Sequence, residues 1–523
     1  MTTTSLRRIA AYAGLALDAW RLRRSDEEQV QRQARRHLIE RMGKLRGLPQ
    51  KLGQMLSFTA DEDSLGAAAD YSLLQQQAEP LQFDAIEPLL EAAWGRPVDD
   101  VLADMDHHAA AASLGQVHRA TLHDGRQVAV KVQYPGIRDA VTTDIKLLGW
   151  LSAPLGNLRH GFDLNKYRQA ILEDLQRELD YRQEARWQHA FAVWADEPIG
   201  RSTSVQPFLI VPRPVDVLCT DTVLVSQWRD GDTWETVREQ WSESQRRELA
   251  TNLLRFFFVG LFQRAMLHAD WHPGNVRFRR DAGSVQLVLY DYGCVYQPTD
   301  IERLALLRLI RATAQRNESP YPLFLKLGFQ EQFLEPLAAK LPALCQVLFE
   351  PFCAQYPYDV AQWRLSERVA DVLGEDRWNF RIAGPPALVF LLRSLHGLST
   401  YLHGLRTPVF WSRAIEPCLA ALHEEMNGLE LDQPQGRAND LSSLARYLKI
   451  RVRENGSTKV ELTGYSMGID DLEELLGEEL AAKIRDRGID LSAIVSDVRR
   501  RGYSPGRVFE LEEGTKHVAV WLE

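Results

Sequence analysis

The feature that most constrains this chain is the segment His268–Asn275, which reads HADWHPGN. Asp270 and Asn275 stand five residues apart, and Asp291, at the start of an Asp–Tyr–Gly tripeptide, follows Asp270 by twenty-one residues. Phosphoryl transfer requires a carboxylate that orients or deprotonates the acceptor, together with an Asn and an Asp that hold Mg²⁺. The spacing therefore predicts a catalytic loop and a metal site, joined by a hairpin of two short strands.

A second segment is predicted to contact nucleotide phosphates. Residues 128–132 form a strand-like run that presents one lysine, Lys131, and they follow a hairpin signal at Asp124–Gly125. An alanine-rich loop precedes this hairpin, where protein kinases carry a glycine-rich loop over the phosphates. Backbone N–H groups of an alanine-rich loop can still approach an anion, although alanine is stiffer than glycine. The loop residues predicted to lie near the nucleotide are Ala110, Ala111, Ala112 and Ser113.

The lysine needs a glutamate that pairs with it and holds it on the phosphates. Residues 139–195 are predicted to be helical, and Glu178 and Glu184 both qualify from spacing alone. Charged residues on a helix are ordinarily a solvated face, so this pattern by itself leaves the partner open.

Together these motifs resemble the UbiB-type atypical protein-kinase-like family, also called AarF-like, which is associated with coenzyme Q biosynthesis. The resemblance spans roughly residues 45–400 and rests on several motifs, among them Lys131 as the nucleotide lysine and Asp270, Asn275 and Asp291 as the catalytic and metal residues. Lys51-Leu52-Gly53-Gln54 fits the KxGQ motif of the family, residues 110–113 fit its alanine-rich loop, and Glu178-x-Asp180 fits its ExD motif. Glu184 matches the lysine-pairing glutamate of the family.

The resemblance implies an α+β, protein-kinase-like two-lobed fold with an N-terminal helical extension and a small C-terminal α+β domain. The implied boundaries are 1–95 for the extension, 96–230 and 231–428 for the two lobes, and 443–523 for the C-terminal domain. ATP and Mg²⁺ are the implied cofactors. Lys131 would hold the α- and β-phosphates, Glu184 would position Lys131, Asn275 and Asp291 would hold Mg²⁺, and Asp270 would be the catalytic base or water-orienting group.

In this family the KxGQ segment packs over the usual substrate cleft. Lys51 and Gln54 would therefore lie near Glu178 and Asp180 and would block protein substrates. An ATPase or a kinase acting on small or lipid-linked molecules is favoured, with a lipid or quinone precursor as a further expected ligand. Two alternatives stay open: a nucleotide-gated scaffold for lipid or protein partners, and an aminoglycoside-type phosphotransferase. The latter does not account for the KxGQ and ExD motifs.

Charge and composition narrow the cellular setting. The chain carries 62 Lys and Arg against 71 Asp and Glu, a formal charge of −9, which argues against a nucleic-acid partner. Five scattered cysteines indicate a reducing compartment. Residues 1–50 are basic, with eleven Lys and Arg against five Asp and Glu. This pattern is compatible with peripheral membrane contact through the N-terminus of a cytoplasmic protein, and equally with a solvated helix that packs on the protein itself. The apolar run that begins at Pro386 is broken by Arg393 and predicts a buried helix.

Two positions depart from the pattern of the family. Trp271 stands where the family often has proline, at a position that is not expected to touch the chemistry. Gln227 occupies a hinge position where the family commonly carries glutamate.

Overall fold

The structure of the chain is a computed structural model. It describes a set of residues with internal gaps: 80–112, 114–139, 141, 177–197, 208–281, 283–431, 445, 447–455, 457–500, 503, 505–513 and 516–523. Lys51, Gln54 and Ser113 lie outside these residues, as does most of the predicted N-terminal extension. The contacts divide the chain into two units, one ending at Gln297 but also including Pro386–Thr407, the other formed by Pro298–Pro385 and Pro408–Glu523.

The first described residues of the first unit form one helix and an antiparallel sheet. The described elements up to residue 227 are α1 (Phe83–Trp94), β1 (Leu102–Met105), β2 (Ala110–Ala111), β3 (Gly115–Leu122), β4 (Gln127–Gln133), α2 (Tyr181–Asp196), β5 (Leu209–Ile210) and β6 (Val223–Gln227). The strands of the sheet follow the order β1-β3-β4-β6, and the short β2 pairs with β3.

The alternation of side chains along β4 explains how this sheet is built. Val128, Val130 and Val132 are buried in the same core cluster as Ile86 and Leu90 of α1. Since successive side chains of a strand point to opposite faces, Lys131 is directed to the other face of the sheet. The predicted β3–β4 hairpin is confirmed, and Gly125 takes the positive φ of +83° that its turn requires.

The rest of the first unit contains the segments predicted to be catalytic. Helix α4 begins at a capping box formed by Ser242 and Gln245, and its buried face includes Phe256, Phe257 and Phe258. The predicted hairpin after Asn275 is confirmed as β8 and β9, whose turn contains Gly283 with a φ of +94°. The elements are α3 (Trp234–Gln240), α4 (Glu243–Phe258), a π-helical turn (Val259–Gln263), β7 (Leu267–His268), β8 (Val276–Asp281), β9 (Ser284–Leu289) and β10 (Val295–Tyr296).

Helices dominate residues 300–428. One of them, α12, belongs to the first unit and confirms the buried helix expected from the apolar run, with Leu398 and Leu405 fully buried. The helices are α5 (Asp300–Gln315), α6 (Pro320–Lys326), α7 (Glu331–Leu334), α8 (Leu341–Leu348), α9 (Glu350–Cys353), α10 (Leu365–Leu373), α11 (Arg377–Ala383), α12 (Leu388–Leu405), α13 (Trp411–Ala421) and α14 (His423–Gly428).

The C-terminal residues form a four-stranded antiparallel sheet with the strand order β12-β11-β14-β13. Strand β11 forms a hairpin with β12, β13 forms one with β14, and Leu448, Ile450 and Val520 are buried. The elements are β11 (Tyr447–Glu454), β12 (Ser457–Tyr465), α15 (Leu472–Leu476), α16 (Glu478–Asp486), α17 (Leu491–Arg500), β13 (Gly506–Glu513) and β14 (Lys516–Leu522). The domain boundaries given above stay predictions. Among the helices of the described residues, none is both long and apolar enough to cross a membrane.

Candidate active site

Lys131 is the centre of the site. Its Nζ atom lies 2.7 Å and 2.9 Å from the two carboxylate oxygens of Glu184 and 2.8 Å from Oδ2 of Asp291. The three residues come from β4, from α2 and from the segment that follows β9, so they are distant in sequence and are brought together only by the fold. The structure thus selects Glu184, and not Glu178, as the partner of Lys131.

Burial and charge act together on these three groups. Burial lowers the pKa of the Lys131 ammonium, but the charges of Asp291 and Glu184 outweigh burial and hold this pKa well above its usual value. Burial raises the pKa of Glu184, and the attraction of Lys131 only partly offsets it. Burial also tends to raise the pKa of Asp291, but Lys131 reverses the direction and lowers it. Lys131 therefore stays protonated, and its ammonium group donates hydrogen bonds to two carboxylates at once.

The start of helix α2 determines where the side chain of Glu184 lies. Asp180 is its N-cap residue, and the Asp180 side chain accepts a hydrogen bond from the backbone N–H of Gln183. Tyr181, in the first turn, places its ring 5.1 Å from the Lys131 Nζ atom. Glu184 follows one turn later and is 1% exposed. One residue of the ExD motif therefore fixes the start of the helix that carries the lysine partner.

The backbone between Glu178 and Asp180 of the ExD motif is held by two hydrogen bonds. The carbonyl oxygen of Leu179 accepts hydrogen bonds from Gln133 Nε2 at 2.8 Å and from Arg138 Nη2 at 2.6 Å. Glu178 is 9% exposed and packs against Gly293 of the Asp–Tyr–Gly tripeptide, where a Cβ atom would lie 3.3 Å from Glu178 Cγ. A side chain at position 293 would therefore be tight against Glu178, and glycine leaves room for this close approach.

The catalytic loop brings Asp270 and Asn275 together. Asn275 Nδ2 lies 3.4 Å from the Asp270 carbonyl oxygen, and the N–H of Tyr290 donates to the Asn275 carbonyl at 2.9 Å. Asp291 follows Tyr290 directly, so the β8–β9 hairpin brings Asp291, a predicted metal ligand, back to this loop. The side chains of Asp270 and Asp291 are 19% and 25% exposed and are within reach of a small molecule from solvent.

The alanine-rich loop lies two strands away from the lysine. Ala110 pairs with Val117, and Val117 pairs with Lys131, so the three residues form one row across the sheet. Residues directly opposite each other share a face, and neighbouring strands are about 4.8 Å apart, which places Ala110 about 10 Å from Lys131 along this row. Ala112 donates to the Gly115 carbonyl at 2.9 Å and closes the hairpin. The described part of the loop thus borders the face that presents Lys131.

The predicted metal ligands suit a magnesium ion. Asn275 uses its Nδ2 as a donor, which leaves Oδ1 as the acceptor, and Asp291 contributes a carboxylate. Mg²⁺ prefers oxygen ligands and binds through one or two carboxylates together with substrate phosphates and water. Among the residues that the structure describes, no group of three or more His, Cys, Asp or Glu side chains could hold a metal ion. The donor set therefore fits a cation shared with a phosphate-bearing substrate.

Reasoning from the sequence missed two residues that touch the catalytic loop. Arg393 Nη2 lies 2.8 Å from Asp270 Oδ1, and Ser394 Oγ donates to the carbonyl of His268 at 2.8 Å. Both lie on α12, more than a hundred residues away in sequence. One signal was present: an arginine inside an apolar helix needs a buried partner, because an unpaired buried charge is very costly.

The predicted hinge position lies at the end of the last strand in the order of the first sheet. Gln227, at the end of β6, accepts a hydrogen bond from Arg229 Nη2 at 2.9 Å. A cavity of about 510 Å³ lies beside it, lined by Trp228, Arg229, Asp230, Gly231, Asp232, Phe278, Arg279 and Arg280. None of the predicted site residues lines this cavity, so it is separate from the lysine and carboxylate cluster.

Comparison with known proteins identifies the domain that contains this cluster. The family model of the ABC1 atypical kinase-like domain matches residues 73–321. Just under half of the chain is thus similar to the ABC1 atypical kinase-like domain. The predicted resemblance to the UbiB-type family is confirmed, because the similar proteins include a COQ8-type, an AarF-type and a UbiB-type kinase. All the predicted site residues of the described chain, from Ala110 to Asp291, fall within the ABC1 domain.

Three curated relatives show the extent of the similarity. The ABC1 family protein C10F6.14c of Schizosaccharomyces pombe is 27% identical over 50% of this chain and 49% of its own length. The atypical kinase COQ8B, mitochondrial, of Rattus norvegicus is 28% identical over 64% and 62%. The probable protein kinase UbiB of Edwardsiella ictaluri is 30% identical over 43% and 41%. The chain thus spans between two-fifths and three-fifths of the length of these relatives.

A solved structure supports the fold. The Rv3197–erythromycin complex from Mycobacterium tuberculosis has a TM-score of 0.51 and 24% identity, covering 75% of this chain and 97% of that chain. With the ABC1 match, this likeness confirms the predicted kinase-like α+β fold class. The N-terminal helical extension of that prediction lies mostly outside the described residues.

His268 generates a prediction about stability in mild acid. Burial lowers the pKa of His268 from 6.5, and its hydrogen bond to the Asp291 carbonyl, 2.8 Å away, only partly opposes this. Because the folded-state pKa is below the unfolded value, the neutral ring contributes stability that is fully present above pH 6.5 and is lost as the pH falls through that value. We expect the melting temperature of the protein to fall between about pH 7.5 and 5.5, and to fall less steeply in His268→Gln.

The control is His123→Gln, at an exposed position in the β3–β4 turn, which should keep the slope of the unmodified protein. Burial also lowers the pKa values of His118 and His272, so the His268→Gln slope should be reduced but not abolished. Equal slopes for the unmodified protein and His268→Gln would contradict this account.

Proposed function

We propose that this chain is an ATP- and Mg²⁺-dependent phosphotransferase or ATPase of the UbiB type. The observation that carries the proposal is the contact of Lys131 Nζ with Glu184 and Asp291 at 2.7–2.9 Å. A strand lysine held by a helix glutamate, beside the aspartate of an Asp–aromatic–Gly tripeptide, is the arrangement that protein kinases use to bind nucleotide phosphates. The filled positions argue against a degenerate, non-binding relative.

The charge of the cluster also favours a nucleotide with its metal. Lys131 contributes one positive charge against the two carboxylates of Glu184 and Asp291. When bound, Mg²⁺ would neutralise charge on the phosphates and would be held by Asn275 and Asp291. Asp291 would then exchange its contact with Lys131 for a contact with the cation, and the released donor capacity of Lys131 would serve the α- and β-phosphates. Glu184, being buried, keeps Lys131 in place.

Asp270 is proposed as the group that acts on the acceptor. Its carboxylate is partly exposed, while its backbone is fixed within the catalytic loop by Asn275 and His268. A carboxylate in this position can accept the proton of an acceptor hydroxyl or orient a water molecule for attack. Transfer and hydrolysis therefore use the same residue and differ only in the acceptor.

The acceptor class is proposed from the resemblance to the UbiB-type family. The association of that family with coenzyme Q biosynthesis supports a lipid or quinone-pathway molecule, and the KxGQ segment, including Lys51 and Gln54, would occlude protein substrates. Peripheral membrane contact through the basic residues 1–50 of a cytoplasmic protein belongs to the same proposal. These residues lie outside the described part of the chain.

The metal role is tested by Asp291→Asn. We expect Mg²⁺-dependent phosphate release from ATP by the unmodified protein, and a rise of at least about tenfold in the half-saturating Mg²⁺ concentration in the variant, since losing a contact with a charged group costs about 1.5–3 kcal/mol. The matched control is Asp281→Asn, at the exposed end of β8, which should behave as the unmodified protein. Unchanged ATP affinity, Mg²⁺ dependence and turnover in Asp291→Asn would refute the proposal.

The acceptor is tested with radiolabelled ATP. The protein is incubated with [γ-³²P]ATP together with either a total lipid extract or an array of Ser- and Thr-containing peptides. We expect label in the organic phase or as free phosphate, both strongly reduced but still measurable in Asp270→Asn, and little label on peptides. Efficient transfer to the peptides would overturn the assignment of the acceptor class while leaving the phosphotransferase proposal intact.

A further inference from the structure

Helix α12 carries a buried charge toward the catalytic loop. Its sequence, LVFLLRSLHGLSTYLHGL, is mostly apolar, but Arg393 is only 5% exposed and Ser394 is fully buried. Burying a guanidinium group is unfavourable unless a carboxylate and further polar atoms receive it. The position of Arg393 therefore requires an explanation from its contacts. Arg393 also lies outside residues 73–321, which match the ABC1 family model.

One guanidinium group joins the two segments that carry the predicted catalytic and metal-binding residues. Arg393 Nη2 lies 2.8 Å from Oδ1 of Asp270 in the catalytic loop. Arg393 Nη1 lies 3.7 Å from Sγ of Cys294, the residue directly after the Asp–Tyr–Gly tripeptide. The Asp270 carboxylate thus has a buried cation beside it, in a place where water screens their attraction only weakly.

A second contact fixes the loop on both sides of Asp270. Ser394 Oγ donates to the carbonyl of His268 at 2.8 Å and accepts the indole N–H of Trp271 at 2.8 Å. His268 precedes Asp270 by two residues, and Trp271 follows it. One hydroxyl group therefore holds the backbone before Asp270 and the side chain after it.

A glycine of α12 allows the loop that contains Asp270 to pack closely against this helix. Gly397 lies one turn after Arg393, and a Cβ atom there would come within 2.4 Å of Trp271 Cβ. Glycine inside a helix is unfavourable, and here the close packing of Trp271 explains it. Positions 393, 394 and 397 share one side of α12, which serves as the surface on which the catalytic loop rests. Trp271, the departure from the family pattern, is the side chain that packs there.

We propose that Arg393 is a positioning residue for the reaction, in which its guanidinium group orients the Asp270 carboxylate and stabilises its negative charge. This inference rests on the proposed function, because it assigns the residue that orients Asp270, the group proposed to act on the acceptor. Arg393 does not touch the nucleotide cluster of Lys131, Glu184 and Asp291 in any contact described above. Its loss should therefore affect turnover and leave nucleotide binding intact.

The first test separates turnover from binding. In Arg393→Met we expect kcat for ATP turnover to fall about 10- to 100-fold, the range for losing a hydrogen bond to a charged group, with the dissociation constant for Mg²⁺·ATP changed less than about twofold. Arg393→Lys keeps the charge and should recover part of the loss. The matched control is Arg368→Met, which breaks a similarly buried ion pair between Arg368 on α10 and Glu350 on α9. This control should lower the melting temperature with little effect on kcat.

A double-mutant cycle with Asp270→Asn gives the deciding result. If Arg393 acts through Asp270, then adding Arg393→Met to Asp270→Asn should reduce turnover less than about twofold further. Independent losses that multiply, an unchanged kcat in Arg393→Met, or an equal loss of kcat and nucleotide affinity in that variant would each overturn the inference. Absence of nucleotide binding and turnover in the unmodified protein would overturn the proposed function and this inference with it. Should Arg393→Met fail to fold, Arg393→Lys is judged on the same separation of kcat from nucleotide affinity.

Discussion

The contact between Lys131, Glu184 and Asp291 is the interaction on which the rest of the site depends. A buried ammonium group is tolerable only where carboxylates receive it, and here each carboxylate comes from a different element. Strand β4 must present Lys131 on the face away from α1, and α2 must be capped at Asp180 to place Glu184. The β8–β9 hairpin must end at Leu289 to place Asp291 two residues later. The geometry of this one cluster therefore constrains the sheet, the helix and the hairpin together.

A second ion pair organises the other half of the site. Asp270 is paired with Arg393, and Ser394 holds the loop through His268 and Trp271. The cluster around Lys131 has more negative than positive side chains, whereas the Asp270–Arg393 pair is balanced. A nucleotide with its cation would complete the first cluster, and the second would stay assembled without a ligand. This difference in charge fits the two proposed roles, in which the Lys131 cluster binds the nucleotide and the loop that contains Asp270 acts on the acceptor.

Short-range features of the site could be predicted from the sequence, because their residues lie within one loop or one hairpin. The spacing of Asp270, Asn275 and Asp291 and the strand around Lys131 are of this kind. Spacing could not decide between Glu178 and Glu184, because they differ in whether they precede or follow the N-cap Asp180, and only the packed helix fixes the direction of each side chain. Arg393 could not be placed at all, since its partner Asp270 lies over a hundred residues earlier. The roles of Lys51, Gln54 and Ser113 stay predictions.

The central claim is that Lys131, Asn275 and Asp291 form the site for a nucleotide and its metal. The most direct measurement is a crystal structure of the protein with Mg²⁺ and a non-hydrolysable ATP analogue. The account predicts phosphate oxygens on Lys131, with the lysine still paired to Glu184, and the cation on Asn275 and Asp291. A nucleotide bound elsewhere, such as in the cavity beside Trp228, with Lys131 still paired to Asp291, would contradict it.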